Sequence, residues 1–62
     1  MKDPFLDRMQ KTLKEIGYMV AVTGIYDMTT FSEMKRFQKD FGLHVDGSAG
    51  PVTRALLYQM AK

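Results

Sequence analysis

One histidine, His44, seven carboxylates and nine Lys or Arg side chains make up most of the titratable chemistry of this 62-residue chain, which has no cysteine. A lone histidine with neither thiolate nor second histidine beside it cannot complete an ordinary zinc site, and no partner near it in sequence would activate it for catalysis. His44 therefore reads as a loop histidine. Carboxylates such as Glu33 and Asp40 could exchange protons with a substrate only inside a protected cleft, and a chain this short offers a shallow one. No catalytic residue, metal site or cofactor is expected. Lys35, Arg36 and Lys39 cluster in sequence but are interrupted by Glu33 and Asp40, the pattern of a solvated helix face. The better candidates for touching a ligand are Tyr26, Asp27, Arg54 and Tyr58. Arginine can clamp a carboxylate through two parallel hydrogen bonds, and a tyrosine ring presents a flat apolar surface with a free hydroxyl.

Short helices must position these side chains. Leu6, Met9, Leu13 and Ile16 step by three, four and three residues, which predicts a helix over residues 4–16. Asp3 before Pro4 suits an N-cap with proline at the first helical position, and Gly17 suits a left-handed stop. Thr30, Met34, Phe37 and Phe41 form a second stripe over 29–41, stopped by Gly42. Val52, Leu56 and Met60 form a third over 51–61, opened by Pro51. Helices this short are marginal alone, so packing must hold them. The methionines follow the stripes and are expected as core filler. Val20, Val22 and Val45 are too few for a sheet. The expectation is an all-α, compact three-helix bundle.

The bundle contains an echo. TGIYDMTTFSEM at 23–34 is a degraded copy of the stretch beginning DGSAGPVTRALL at 46–57. Aligning Gly24 with Gly47 puts Thr30 on Thr53 and Met34 on Leu57. Aligning Gln10 with Gln38 puts Leu13 on Phe41. Each half reads as a helix bearing Gln, a glycine stop, a glycine turn, and a threonine that opens the next helix. An internal pseudo-repeat that shares its middle helix explains this. Asp46-Gly47 and Gly50-Pro51 are turn dipeptides. Gln10 and Gln38 can tie the orphan N–H and C=O groups of a loop, and Thr30 and Thr53 can return hydroxyls to first-turn amides.

Composition bounds the rest. The chain is 45% hydrophobic and carries a net charge of +2, so it can bury a small core, and its charge is too scattered to announce nucleic acid or a membrane surface. The longest apolar run, Met19 to Val22, is far short of a membrane span or a signal-peptide core. We expect one domain over 1–62, without signal peptide or membrane insertion. Nothing resembles a dimer seam, so a monomer is expected.

FQKDFGLHVDGSAGPVTRALL, residues 37–57, resembles the peptidoglycan-binding domain family, small three-helix modules attached to many bacterial and phage cell-wall hydrolases. That family's half-pattern is apolar-Gln, apolar-x-x-x-Gly, then Asp-Gly-x-x-Gly-Pro-x-Thr. Met9-Gln10, Leu13, Gly17 and Tyr18 fit the first half. Phe37-Gln38, Phe41-Gly42-Leu43, Asp46-Gly47, Gly50-Pro51 and Thr53 fit the second. The match runs over about residues 6–60. The first half departs from it: Thr23 replaces Asp, Asp27-Met28 replaces Gly-Pro, and Glu33 replaces a small residue. An Asp at 27 can stand in for glycine in a left-handed conformation. Glu33 must be solvated, paired or facing a ligand.

The resemblance implies a non-catalytic module that targets a parent hydrolase or envelope protein to peptidoglycan, with Tyr26, Asp27, Arg54 and Tyr58 meeting stem peptide and glycan. It implies a place in the cell wall or periplasm, reached only as part of a larger protein. The alternative is a protein–protein docking or regulatory module on the same fold. A helix-turn-helix reading, invited by a pI near 9.1, fails because the loop before the third helix is too long for that motif's tight turn.

Overall fold

The computed structural model describes residues 4–61, in which α1 spans Pro4–Glu15, α2 Met28–Asp40 and α3 Pro51–Met60. Each helix ends within a residue of the bounds its stripe predicts. Among the described residues there is no strand, and the valines outside the helices lie in irregular loops.

The helix ends explain the boundaries. α1 closes with Gly17 at φ 110°, where the Tyr18 N–H bonds the Leu13 carbonyl at 2.9 Å and the Gly17 N–H bonds that of Lys14 at 3.2 Å. α2 closes identically. Gly42 lies at φ 70°, with Leu43 N–H on the Gln38 carbonyl at 2.8 Å and Gly42 N–H on that of Lys39 at 3.2 Å. This pair of crossed bonds satisfies carbonyls the helix itself leaves orphaned. α2 starts on Asp27, whose side chain accepts from Thr30 N–H, and α3 starts on Gly50 followed by Pro51. The expected cap Asp3 lies outside the described residues.

Met9, Leu13, Val20, Met34, Phe37 and Leu57 form the core, and Leu6, Ile16, Tyr18, Leu43, Leu56 and Met60 pack around it. Phe37 is fully buried, with the Tyr18 ring edge-on at 5.8 Å and Phe41 tilted at 4.7 Å. Each large side chain removed from water here is worth about 1.5–3 kcal/mol. The radius of gyration, 10.3 Å, matches the roughly 10.6 Å that chain-length scaling gives for a compact domain.

Two expectations about the core are corrected. In α3 the buried positions are Thr53 and Leu57, one residue on from the Val52–Leu56 stripe, and Val52 is 67% exposed. Gln38 reaches for Thr53, and that polar tie sets the rotation of α3. The methionines also divide. Met9 and Met34 fill the core, whereas Met19 on the first linker and Met28 at the start of α2 are 80% and 78% exposed.

Candidate functional site

Two buried glutamines build the loops that carry Tyr26, Asp27 and the residues before Arg54. Gln10 Oε1 accepts the N–H groups of Thr23 at 3.0 Å and Gly24 at 2.8 Å, while its Nε2 donates to the Ile25 carbonyl and to Thr30 Oγ1, both at 2.9 Å. Gln38 repeats the arrangement. Its Oε1 accepts from Asp46 and Gly47 N–H at 3.1 and 2.9 Å, and its Nε2 donates to the Ser48 carbonyl at 2.8 Å and Thr53 Oγ1 at 3.3 Å. The threonine hydroxyls thus accept from glutamine instead of serving first-turn amides. Thr23, Gly24, Ile25 and Thr30 stand in the places of Asp46, Gly47, Ser48 and Thr53. The sequence echo is therefore one hydrogen-bond frame built twice, with α2 completing the first copy and opening the second.

The first-half departures keep that frame. Thr23 Oγ1 accepts from Ile25 N–H at 3.1 Å, as Asp46 Oδ1 accepts from Ser48 N–H at 2.8 Å. Asp27 lies in extended backbone at φ −92°, and its counterpart Gly50 does the same at −75°, so this position never needs the left-handed conformation that glycine favours. Glu33 is paired: Oε1 accepts from Met19 N–H at 3.1 Å, and Oε2 lies 4.0 Å from Arg36 Nη1.

Of the four predicted contact residues, the structure brings two to one place. Tyr26 and Arg54 line a groove of about 390 Å³ whose remaining walls are Phe5, Leu6, Met9, Phe31 and residues 47–49. That volume lies within the range of small-ligand sites. The Tyr26 hydroxyl donates to the Gly47 carbonyl, tying the first loop to the second. Burial, and secondarily the charge of Asp46, raises the Tyr26 pKa and keeps that hydroxyl protonated. Phe31 closes one wall over Gly47, where φ is +76° and an added Cβ would fall under 3 Å from three ring atoms. Arg54 is held by its Nε–H on the Ala49 carbonyl at 2.9 Å and by stacking 4.4 Å above the Phe5 ring centroid.

Asp27 and Tyr58 do not line this groove. Asp27 uses its carboxylate as the α2 cap, 2.9 Å from Thr30 N–H, and that bond holds its pKa below the usual carboxylate range. Tyr58 packs tilted against Phe5, 5.7 Å ring to ring, with the Arg8 guanidinium 5.7 Å from its centroid. The cavity beside it holds about 20 Å³, room for roughly one water. The groove's aromatic walls, Phe5 and Phe31, were absent from the sequence candidates. Both are large apolar residues lying off their helix stripes, which is the signal that marks them.

Other charged side chains pack on aromatic rings, and the buried Oδ1 of Asp7 has no hydrogen-bond partner among the described residues. Lys35 Nζ lies 5.3 Å over Phe31, and Arg36 lies 6.0 Å over Tyr18. Tyr18 donates to Asp40 Oδ2 at 2.6 Å, and burial followed by that bond pushes its pKa up to about 12. His44 is exposed in a separate shallow groove of the second loop. Among the described residues no three His, Cys, Asp or Glu side chains converge on a metal site, and no helix is long and apolar enough to cross a membrane.

With this frame in place the class of the protein follows: the chain belongs to the peptidoglycan binding domain family, whose model matches residues 2–57. It is a peptidoglycan-binding module, associated through that polymer with the cell wall. Two curated Bacillus cereus sequences, both named spore cortex-lytic enzyme, are 36% identical to it over 55 residues, covering 87% of this chain. The chain spans about a fifth (21%) of the length of those relatives. No solved structure matches the chain at a significant level.

Proposed function

We propose that this domain is the non-catalytic anchor of a larger cell-wall hydrolase or envelope protein, and that the groove between its two loops takes the stem peptide and adjoining sugar of peptidoglycan. The observation that carries the reading is the convergence of Tyr26 and Arg54, with Phe5 and Phe31, on one groove in a chain matched by the family model over residues 2–57. The groove has apolar walls for aliphatic and sugar faces and a fixed polar rim for orientation. It has no pair of proton-exchanging groups, which fits binding without chemistry. Weak affinity per site is enough, because the wall repeats its epitope and the tether raises local concentration. The relatives named spore cortex-lytic enzyme fit a parent that acts on the wall in which the anchor holds it. We place the parent in the cell wall or periplasm and the module in it as a single monomeric domain.

The test is sedimentation of the purified domain with insoluble sacculi, against chitin and cellulose, at low and high salt. Specific sedimentation that survives high salt is the expected result. Sedimentation lost at modest salt would reduce the effect to a cation of charge +2 meeting an anionic polymer. The second reading, docking on a protein, rests on Met19 and Ile25 on the first linker and Met28 at the start of α2 standing exposed. Absence of sedimentation at any salt favours it.

A further inference from the structure

We infer that Arg54 makes the groove selective for a free carboxylate, so that the module distinguishes wall peptides bearing free acids from those whose carboxyl groups are amidated. This rests on the groove being the wall-binding site and adds which chemical form it takes.

The observation is an imbalance of charge in a place built to hold still. Arg54 spends its Nε–H on Ala49 and its guanidinium face on Phe5, which fixes the side chain at both ends. Its terminal Nη groups have no carboxylate: the ion pair found among the described residues is Arg36 with Glu33, on α2. No acidic side chain lines the groove. Of the loop carboxylates, Asp46 is committed to Ser48 N–H and the Gln38 amide, and Asp27 to the start of α2; Asp7 on α1, whose buried Oδ1 has no hydrogen-bond partner among the described residues, is not one of the groove's lining residues. The Tyr26 hydroxyl is committed as well, to the Gly47 carbonyl.

What remains unspent at the rim is therefore a positive fork with two parallel donors, the geometry that carboxylate oxygens match. A carboxamide presents one oxygen and a donor face, and its NH₂ would meet the Arg54 N–H groups donor to donor. The apolar walls of Phe5, Leu6, Met9 and Phe31 sit beside the fork, so the preferred ligand joins a carboxylate to a short aliphatic or sugar segment. Two other surface hollows, one bounded by Met19, Met28, Thr29, Ser32 and Glu33 and one around His44 and Asp46, each carry a carboxylate of their own, the wrong sign for such a ligand. Because Arg54 is fixed before the ligand arrives, little side-chain entropy opposes the contact.

The experiment is an NMR titration of the ¹⁵N-labelled 62-residue chain with a soluble N-acetylmuramoyl tripeptide as the free acid, and with the same compound after every carboxyl is converted to carboxamide. Sodium acetate at equal concentration is the third arm. The free acid should shift the amides of residues 47–49 and the Arg54 Nε–H, and should bind roughly fivefold more tightly than the amide, the ratio expected between charged and neutral hydrogen bonds. Arg54→Gln should erase the ratio and the salt dependence of the free-acid arm, while Arg54→Lys should keep part of both. Circular dichroism of both variants confirms that they fold, as expected for an exposed side chain. Equal binding of acid and amide would overturn the selectivity, as would acetate alone reproducing the shifts. Shifts confined to residues away from the groove would overturn it too. In each of these cases salt-resistant sedimentation with sacculi would leave the wall-binding reading standing, and its loss would remove both.

Discussion

Replacing Gln38 by leucine tests the reasoning at its most exposed point, because the substitution keeps a buried side chain of similar bulk and removes only hydrogen bonds. Gln38 is 1% exposed; its oxygen accepts from Asp46 and Gly47 N–H, and its two N–H donors are shared among Asp46 Oδ1, the Ser48 carbonyl and Thr53 Oγ1. Water can reach the Asp46 and Ser48 groups once the amide has gone, so their loss is small. The partners at Gly47 N–H and Thr53 Oγ1 are buried, and each buried polar group left unpaired costs about 1–3 kcal/mol. The sum, about 2–6 kcal/mol, is comparable to the whole stability expected of a domain this size, about 3–5 kcal/mol. Gln38→Leu should therefore be largely unfolded at 25 °C by far-UV circular dichroism. It should regain helix in trimethylamine N-oxide, which strengthens effective burial. Gln10→Leu should behave the same way, since Gln10 has the same two buried partners in Gly24 N–H and Thr30 Oγ1. Gln59→Leu, on the exposed face of α3, is the control and should change stability by less than about 0.5 kcal/mol. A Gln38→Leu variant that unfolds in urea with a loss below about 1 kcal/mol would refute the argument, since the loops would then hold their shape without the amide.

Two further outcomes follow from the geometry. Gly47→Ala should lose at least about 2 kcal/mol, from left-handed strain of roughly 1–2 kcal/mol plus the collision with Phe31, and the double variant with Phe31→Ala should recover the steric share only; strictly additive losses in a urea double-mutant cycle would show that the ring is not the obstacle. Asp27 is held ionised by Thr30 N–H, so its folded pKa lies below the unfolded value of about 3.9; its contribution is complete above that pH and is lost as pH falls through the folded value. Asp27→Asn keeps a cap oxygen that does not titrate, so its melting temperature should fall less steeply than the wild type's below about pH 4, and parallel curves would contradict the cap.

The fold was legible in the sequence because its determinants are local. Gly17 and Gly42 mark the helix ends, Pro51 marks the start of α3, and the spacing of Leu6, Met9 and Leu13 sets the buried face of α1. The matched residues around Gln10 and Gln38 were legible too, since a repeated polar residue beside an apolar stripe has few other uses. The groove was half legible. Tyr26 and Arg54 stand out by type, but nothing local says that Phe5 on α1 would slide beneath Arg54 on α3, a contact between residues 49 positions apart in the chain. Asp27 illustrates the converse difficulty. A carboxylate next to a turn looks the same in sequence whether it faces a ligand or caps a helix, and only the bond to Thr30 N–H decides for the cap. The α3 register was misjudged because Thr53 counts as polar in a hydrophobic stripe, although its hydroxyl is satisfied by Gln38 and so can be buried.

The two glutamine amides have one more consequence. Each presents an oxygen to two N–H groups and a nitrogen to a carbonyl, which is what the backbone of a neighbouring strand would offer to an extended segment. The loops are thus templated by a side chain that grips mainly their main chain, Thr23 and Asp46 being the loop side chains it also touches. Positions 25, 26, 48 and 49 can change their letters without the grip noticing, provided Gly24 and Gly47 stay. A scaffold of that kind separates inheritance of shape from inheritance of specificity. With the proposed groove as the binding site, drift at a handful of surface codons would retune what it holds, and the protein engineer gains a 62-residue frame for display libraries.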